Sequence, residues 1–184
     1  MSTYHFTTHW HVAATCEEVY RILEEVEALP HWWPSVYLDV RQLEKGSPGG
    51  VGKRVSLYTK GWLPYTLRWQ FQVTDTNFPN GFALQAIGDF AGIGVWTFQQ
   101  TDDLHCKVVY DWRIDAQKPL LKKLTFLLRP IFSANHLWAM RKGEESLKLE
   151  ILRRRATTEA ARNLIPPPPG PTFPHNLWRK SLPE

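Results

Sequence analysis

PIFSANHLWAMRKGEESLKLEILRRR, the stretch from Pro130 to Arg155, decides the fold because it is the longest run with helical spacing. Pro130 suits the first turn of a helix, where a missing N–H costs nothing, and the next proline is Pro166. On a helix, one stripe would carry Ser133, His136, Leu137, Met140, Gly143, Glu144, Leu147 and Ile151. A stripe that wide is expected to pack on a sheet or on another helix.

The chain before this stretch supplies the strands of a sheet. Tyr4–Ala14 alternates as a strand, and Thr15 then begins a helix in which Glu18 completes a capping box. A second, short helical piece lies between Pro30 and Pro34. Six further strands are predicted at Ser35–Glu44, Val51–Lys60, Tyr65–Thr76, Phe82–Phe90, Ile93–Thr101 and Leu104–Asp115. Their short connections predict an antiparallel meander with one face in water.

Glycine and proline set the remaining predicted boundaries. Ala91-Gly92 predicts a tight turn between two strands, and Pro119–Leu128 predicts a short helical piece that ends before Pro130. The proline run at 166–171 indicates the end of the domain. We therefore expect a ligand-binding domain over residues 1–156 and a proline-rich tail over 157–184. The aromatic residues of this tail, such as Phe173 and Trp178, either serve no purpose or dock on the domain.

Composition and charge favour an ordinary globular protein. The 184 residues are 43% hydrophobic and 22% charged, which suits one domain plus an appendage. The net charge is +4, and apart from Arg153–Arg155 the basic residues are dispersed, so nucleic acid is not an expected partner. No apolar run approaches the ~18 residues of a membrane span, and no secretory signal is recognised. We expect a cytoplasmic protein in which Cys16 and Cys106 are reduced.

The histidines and glycines do not indicate a metal or cofactor site. His5, His9 and His11 share one side of the first strand, but along a strand they spread over roughly 20 Å. A solvated polar face accounts for them better than a metal site. Gly46–Gly52 leads into a strand rather than a helix, and no zinc spacing or nucleophile elbow is present. We therefore expect neither a metal nor a cofactor.

The order of elements and several local motifs resemble the polyketide cyclase/dehydrase branch of the START-like (SRPBCC) superfamily. The motifs are Val12-Ala13-Ala14, Glu18-Val19-Tyr20, Trp33-Pro34, Gly92–Trp96, Tyr110-Asp111-Trp112, Phe132, Asn135-His136-x-Trp138-x-Met140 and Gly143-Glu144. The resemblance implies an α+β helix-grip fold, in which a curved antiparallel sheet of about seven strands wraps a long C-terminal helix. Two short helices would follow the first strand. It also implies a largely apolar cavity between sheet and helix.

The inward face of the predicted sheet supplies candidate walls for this cavity. The candidate ligand-binding residues are Trp69, Phe71, Trp96, Phe98, Tyr110, Trp112, His136, Met140 and Leu147. Aromatic walls with few polar groups suit an apolar ligand. The alternative is that these large rings simply fill the space, which leaves a small or partly filled cavity.

His136 and Glu144 are the titratable residues of the helical stripe and the candidates for acid or base catalysis. Their positions differ by roughly 12 Å along a helix, too far for a direct pair. The structural alternatives are that His136 satisfies a backbone carbonyl and that Glu144 pairs with Lys148 or Arg141.

Three functions follow as hypotheses, and the residues leave open whether the protein is an enzyme. The first is a protein that binds a hydrophobic small molecule, lipid-like or polyketide-like, in the cavity. The second is a cyclase or dehydratase acting on such a ligand. The third is an interaction module that uses the proline-rich tail. The sequence leaves the oligomeric state open, and a homodimer is compatible with it.

Overall fold

A computed structural model describes residues 3–117 and 119–173 of the chain, and within them the chain forms one seven-stranded antiparallel sheet. The strands are β1 (Thr3–Val12), β2 (Tyr37–Glu44), β3 (Arg54–Lys60), β4 (Thr66–Asn77), β5 (Gly81–Gly88), β6 (Phe90–Asp102) and β7 (His105–Ala116). The helices are α1 (Cys16–Glu24), α2 (Leu29–Trp32), α3 (Pro119–Arg155) and α4 (Glu159–Asn163), with a 3-10 turn at Val26–Ala28. This is the predicted α+β helix-grip arrangement.

The strand order is β1-β7-β6-β5-β4-β3-β2, so the last six strands form the predicted meander. The first strand pairs antiparallel with the last, from Tyr4 opposite Ile114 to Val12 opposite Cys106. The two edges of the sheet are therefore β1 and β2, and the chain between them forms α1 and α2.

Period-two alternation of apolar and polar side chains decides which face of the sheet is buried. On β7, Val108, Tyr110, Trp112 and Ile114 are all buried, as the sequence predicts. Their neighbour Arg113 faces water. His5, His9 and His11 on β1 are exposed, as expected for a solvated face.

The predicted capping box begins α1. The Thr15 hydroxyl accepts a hydrogen bond from the N–H of Glu18 at 3.2 Å, and the Glu18 carboxylate accepts one from the N–H of Thr15 at 2.8 Å. The same carboxylate receives two hydrogen bonds from Arg155, at 2.8 and 2.7 Å. Arg154 binds Glu25 in the same two-point way, at 2.9 and 2.7 Å. These pairs hold the end of α3 against the first helix.

Two predicted boundaries are wrong. The helix α3 runs from Pro119 to Arg155 without a break at Pro130. Pro130 costs the helix one backbone hydrogen bond, but the helical spacing continues on both sides of it. The predicted turn at Ala91-Gly92 is also misplaced. Gly92 lies within β6, opposite Ile114, and the turn instead uses Gly88, whose φ of +118° favours glycine.

The buried face of α3 is rotated from the predicted stripe. Met140, Leu147 and Ile151 are buried as predicted, whereas Leu137 is 53% exposed. Asn135 and Ser146 are buried in addition, at 8% and 0% exposure.

After α3 the chain turns back across the domain. The guanidinium of Arg153 donates to the carbonyl of Pro166 at 2.9 Å, and the hydroxyl of Thr172 donates to the carbonyl of Trp62 at 3.2 Å. The segment 166–173 thus runs from the end of α3 to the loop after β3. Trp178 lies outside the described residues. None of the helices in the described ranges is long and apolar enough to cross a membrane.

Candidate ligand cavity

A cavity of about 130 Å³ lies between the sheet and α3. Five of the candidate ligand-binding residues line it: Trp69 on β4, Tyr110 and Trp112 on β7, and His136 and Met140 on α3. Other parts of the wall come from β1, the chain from Trp33 to Tyr37, the end of β3 with the loop after it, and further positions on β4, β7 and α3. The structure therefore brings these candidates together around one space.

The other four candidates lie in the core rather than on the cavity wall. Phe71, Trp96, Phe98 and Leu147 are all at most 8% exposed and are packed among other apolar side chains. Trp96 stacks on Tyr110 with 4.0 Å between ring centroids, so it supports the wall from behind. The aromatic rings thus fill much of the interior and leave a small cavity.

The aromatic wall is held in place by ring contacts and by a hydrogen bond. Trp112 lies between Tyr110 and Trp69, with centroid distances of 5.5 and 5.7 Å. The indole N–H of Trp69 donates to the hydroxyl of Thr59 at 3.0 Å. Contacts of this kind add to the stabilisation from burial alone, so the wall is preorganised.

Three buried polar atoms of cavity residues have no hydrogen-bond partner among the described residues. They are the hydroxyl of Tyr4, the indole nitrogen Nε1 of Trp33 and the imidazole nitrogen Nε2 of His136. Leaving such atoms unpaired costs free energy.

His136 is held as a neutral imidazole. Its ring stacks on Phe6 with 4.2 Å between centroids, and burial lowers its pKa to about 4. Near neutral pH the ring therefore carries no charge and can donate or accept one hydrogen bond at Nε2, depending on the tautomer.

Glu144 does not line the cavity. Its carboxylate accepts hydrogen bonds from the backbone N–H of His11 at 3.1 Å and from the ammonium of Lys148 at 2.8 Å. The pairing with Lys148 is one of the structural alternatives expected from the sequence. Glu144 links α3 to β1 and lies away from the site where a ligand would react.

The polar cavity residues that sequence reasoning missed include Lys60 and Asn135. Strand alternation places Lys60 outward, next to the inward Thr59, but β3 ends there and the lysine is only 3% exposed. Asn135 is buried on α3, and its side-chain oxygen accepts from the N–H of Leu63 at 3.2 Å. Gly61, the residue after Lys60, lies in close contact with the Asn135 amide group, and only glycine fits there.

No group of three His, Cys, Asp or Glu side chains in the described ranges is placed to hold a metal ion. Burial raises the pKa of Tyr65, another cavity residue, to about 12. The site is thus a set of neutral rings and hydrogen-bonding groups with a single lysine.

Several solved structures share this fold. A protein from Thermus thermophilus has a TM-score of 0.66 at 16% identity, over 83% of this chain and 100% of that one. The Zhui aromatase/cyclase from Streptomyces sp. R1128 has a TM-score of 0.66 at 17% identity, over 84% and 97%. A START superfamily protein from Mycobacterium smegmatis has a TM-score of 0.59 at 16% identity, over 80% and 96%. At these identities the likeness shows the fold alone.

The family assignment comes from the sequence itself. No curated protein matches the chain at a significant level. The profile of one family, described as polyketide cyclase / dehydrase and lipid transport, matches residues 12–140. That range extends from the end of β1 to Met140 and covers most of the folded domain. The chain therefore belongs to the polyketide cyclase/dehydrase and lipid transport family.

Proposed function

We propose that the protein binds a hydrophobic small molecule, lipid-like or polyketide-like, in the cavity between the sheet and α3. The observation that carries this proposal is the unfilled volume of about 130 Å³ beside Trp69, Trp112 and Met140. A cavity of about 150 Å³ lined by apolar side chains is known to admit benzene. The cavity thus matches one ring, or the end of an alkyl chain.

We propose further that the binding unit is the domain of residues 1–156 in a cytoplasmic protein, with 157–184 as an appendage. The cavity residues extend from Tyr4 to Met140, and α3 ends at Arg155. The tail still reaches the site, since the carbonyl of Phe173 accepts a hydrogen bond from Lys60 of the cavity wall at 3.2 Å.

The test is a pair of alanine-to-leucine substitutions on the same helix. Ala139 lines the cavity, whereas Ala134 is exposed and does not. Binding of p-cresol, a neutral ring with one hydroxyl, is measured by calorimetry. We expect Ala139→Leu to weaken binding at least tenfold by filling the cavity, while Ala134→Leu leaves it unchanged. Equal binding by the two variants, or no binding by the unaltered protein, would overturn the proposal.

A second candidate function is a cyclase or dehydratase acting on the bound molecule. It is favoured by the neutral His136, which is among the cavity-lining residues and whose buried Nε2 atom has no partner among the described residues. A neutral imidazole can remove a proton from a ligand. Native mass spectrometry of the purified protein would identify a co-purifying molecule, which would then be tested as the substrate. Turnover lost in His136→Ala but kept in Glu144→Gln would support this function, and equal turnover in both would contradict it.

A further inference from the structure

Lys60 is a lysine buried in the wall of an apolar cavity. It ends β3, it is one of the residues that line the cavity, and it is 3% exposed. Lysine is almost never buried to this extent unless it has a partner of opposite charge. The chain therefore carries a positive charge where burial is expensive.

The described residues offer Lys60 a single weak partner. Its ammonium donates to the backbone carbonyl of Phe173 at 3.2 Å and lies 5.3 Å from the centroid of that ring. No ion pair joins Lys60 to a carboxylate within the described ranges, although surface lysines such as Lys142 and Lys148 have such pairs. An ammonium group has three donors, so two remain for another acceptor.

Burial changes the pKa of the Lys60 ammonium group. Removal from water lowers the pKa of Lys60, which means that its charged form is disfavoured where it stands. An anion placed beside it would favour the charged form again, because opposite charges attract strongly where water is excluded. A negative group at this place would therefore favour the charged form of Lys60.

We infer that the ligand of this cavity is a hydrophobic carboxylic acid whose carboxylate pairs with the ammonium of Lys60. This inference rests on the proposed function and names the class of ligand. The apolar part of the acid would lie against Trp69 and Trp112, and its carboxylate would take the free donors of Lys60 or replace the Phe173 carbonyl.

The single positive charge favours a carboxylate over a phosphate. Of the described residues that line the cavity, Lys60 is the one cation, since His136 is neutral. A phosphate monoester carries nearly two negative charges at neutral pH and needs several charged donors. A carboxylate carries one charge, which one ammonium balances.

The test compares two acids with their neutral amides. Benzoate and benzamide match the size of the cavity, and decanoate and decanamide test an alkyl chain. Each is titrated by calorimetry at pH 7.5 into the full chain and into Lys60→Met, whose side chain is similar in length but uncharged. Lys107→Met, on β7 and outside the cavity lining, is the matched control.

For at least one pair, the unaltered protein should bind the acid at least tenfold more tightly than the amide. Lys60→Met should bring this ratio to about one, and Lys107→Met should keep it. Lys60→Arg, which retains the charge, should retain part of the preference even if Lys60→Met does not fold. Equal affinity of acid and amide for the unaltered protein would overturn the inference while leaving the proposed function intact. Binding of none of the four compounds, nor of p-cresol, would overturn both.

Discussion

Gly143 of α3 lies directly against the indole ring of Trp33, so closely that a methyl group at residue 143 would overlap the ring. This contact lets α3 approach the chain that follows α2 closely. It also explains why a glycine, which weakens a helix interior, stands in the middle of α3.

Gly143→Ala should therefore destabilise the protein. Alanine would by itself favour the helix by roughly 0.5–1 kcal/mol, but overpacking a core typically costs about 1–3 kcal/mol. We expect a net loss in the free energy of unfolding, measured by urea denaturation. The double variant with Trp33→Phe should lose less than the sum of the two single changes, since the smaller ring leaves space. A stabilised Gly143→Ala would contradict the contact.

His136 should make stability depend on pH. Its pKa is about 4 in the folded chain, against an ordinary value of 6.5. Between these values the unfolded chain binds more protons, so the free energy of unfolding falls as the pH is lowered from 6.5 toward 4. The total loss is on the order of 3 kcal/mol, and above pH 6.5 the histidine contributes no slope.

His136→Phe is the variant that checks this dependence, because a phenyl ring keeps the stacking on Phe6. Urea denaturation at pH 7, 6, 5 and 4.5 should give a flatter profile for the variant than for the unaltered protein. Parallel profiles would show that the imidazole is not buried as described.

The ion pair of Glu18 and Arg155 should make stability depend on pH in a lower pH range. Hydrogen bonds from Arg155, together with those from Thr15, lower the pKa of Glu18 from 4.5 to about 2. Stability from this carboxylate is present above pH 4.5 and is lost as the pH falls toward 2. Because both side chains are partly exposed, we expect less than about 1 kcal/mol from the pair.

Nuclear magnetic resonance titration of the Glu18 carboxyl carbon measures this effect directly. In Arg155→Gln, the pKa of Glu18 should rise toward its ordinary value. Arg141→Gln is the control, since Arg141 lies on the exposed face of α3. A Glu18 pKa that responds equally to both substitutions would show a general change of charge rather than a specific bond.

Asn135 should hold the loop that follows Lys60. Its side-chain oxygen accepts the hydrogen bond from the N–H of Leu63, and it packs against Gly61. Asn135→Ala would leave that N–H without its acceptor, at a cost of about 1–3 kcal/mol. Hydrogen exchange of the Leu63 amide should accelerate markedly. The exchange rate of the Leu57 amide, in the middle of β3, should increase only by the amount that the loss of global stability predicts. Unchanged exchange at Leu63 would mean that another group protects it.

The sequence predicted those parts of the fold that local rules determine. Period-two alternation identified the buried residues of β7, and the spacing of Thr15 and Glu18 identified the capping box. It misplaced the features that depend on neighbours far along the chain. Leu137 has the right helical spacing for the core but is exposed, whereas Gly143 packs against Trp33, far along the chain.

The candidate site was predicted in part for the same reason. Trp69, Tyr110 and Trp112 share the inward face, which alternation reveals, and they line the cavity. Lys60 carries no such signal. The burial of Lys60 results from the end of β3 and from the return of segment 166–173, and neither is a local property of the residues around it.

The pairing of β1 with β7 has a consequence for synthesis of the chain. Val12 lies opposite Cys106 and Tyr4 opposite Ile114. The ribosome must therefore add about a hundred further residues before β1 can pair with β7. At translation rates of about 5–20 residues per second, that delay is on the order of 5–20 s. Throughout it, the side chains of Trp10 and Val12, which are buried in the finished domain, have no strand beside them. The apolar face of the first strand thus stays unpaired until β7 has been made, and such transiently exposed apolar surface favours aggregation.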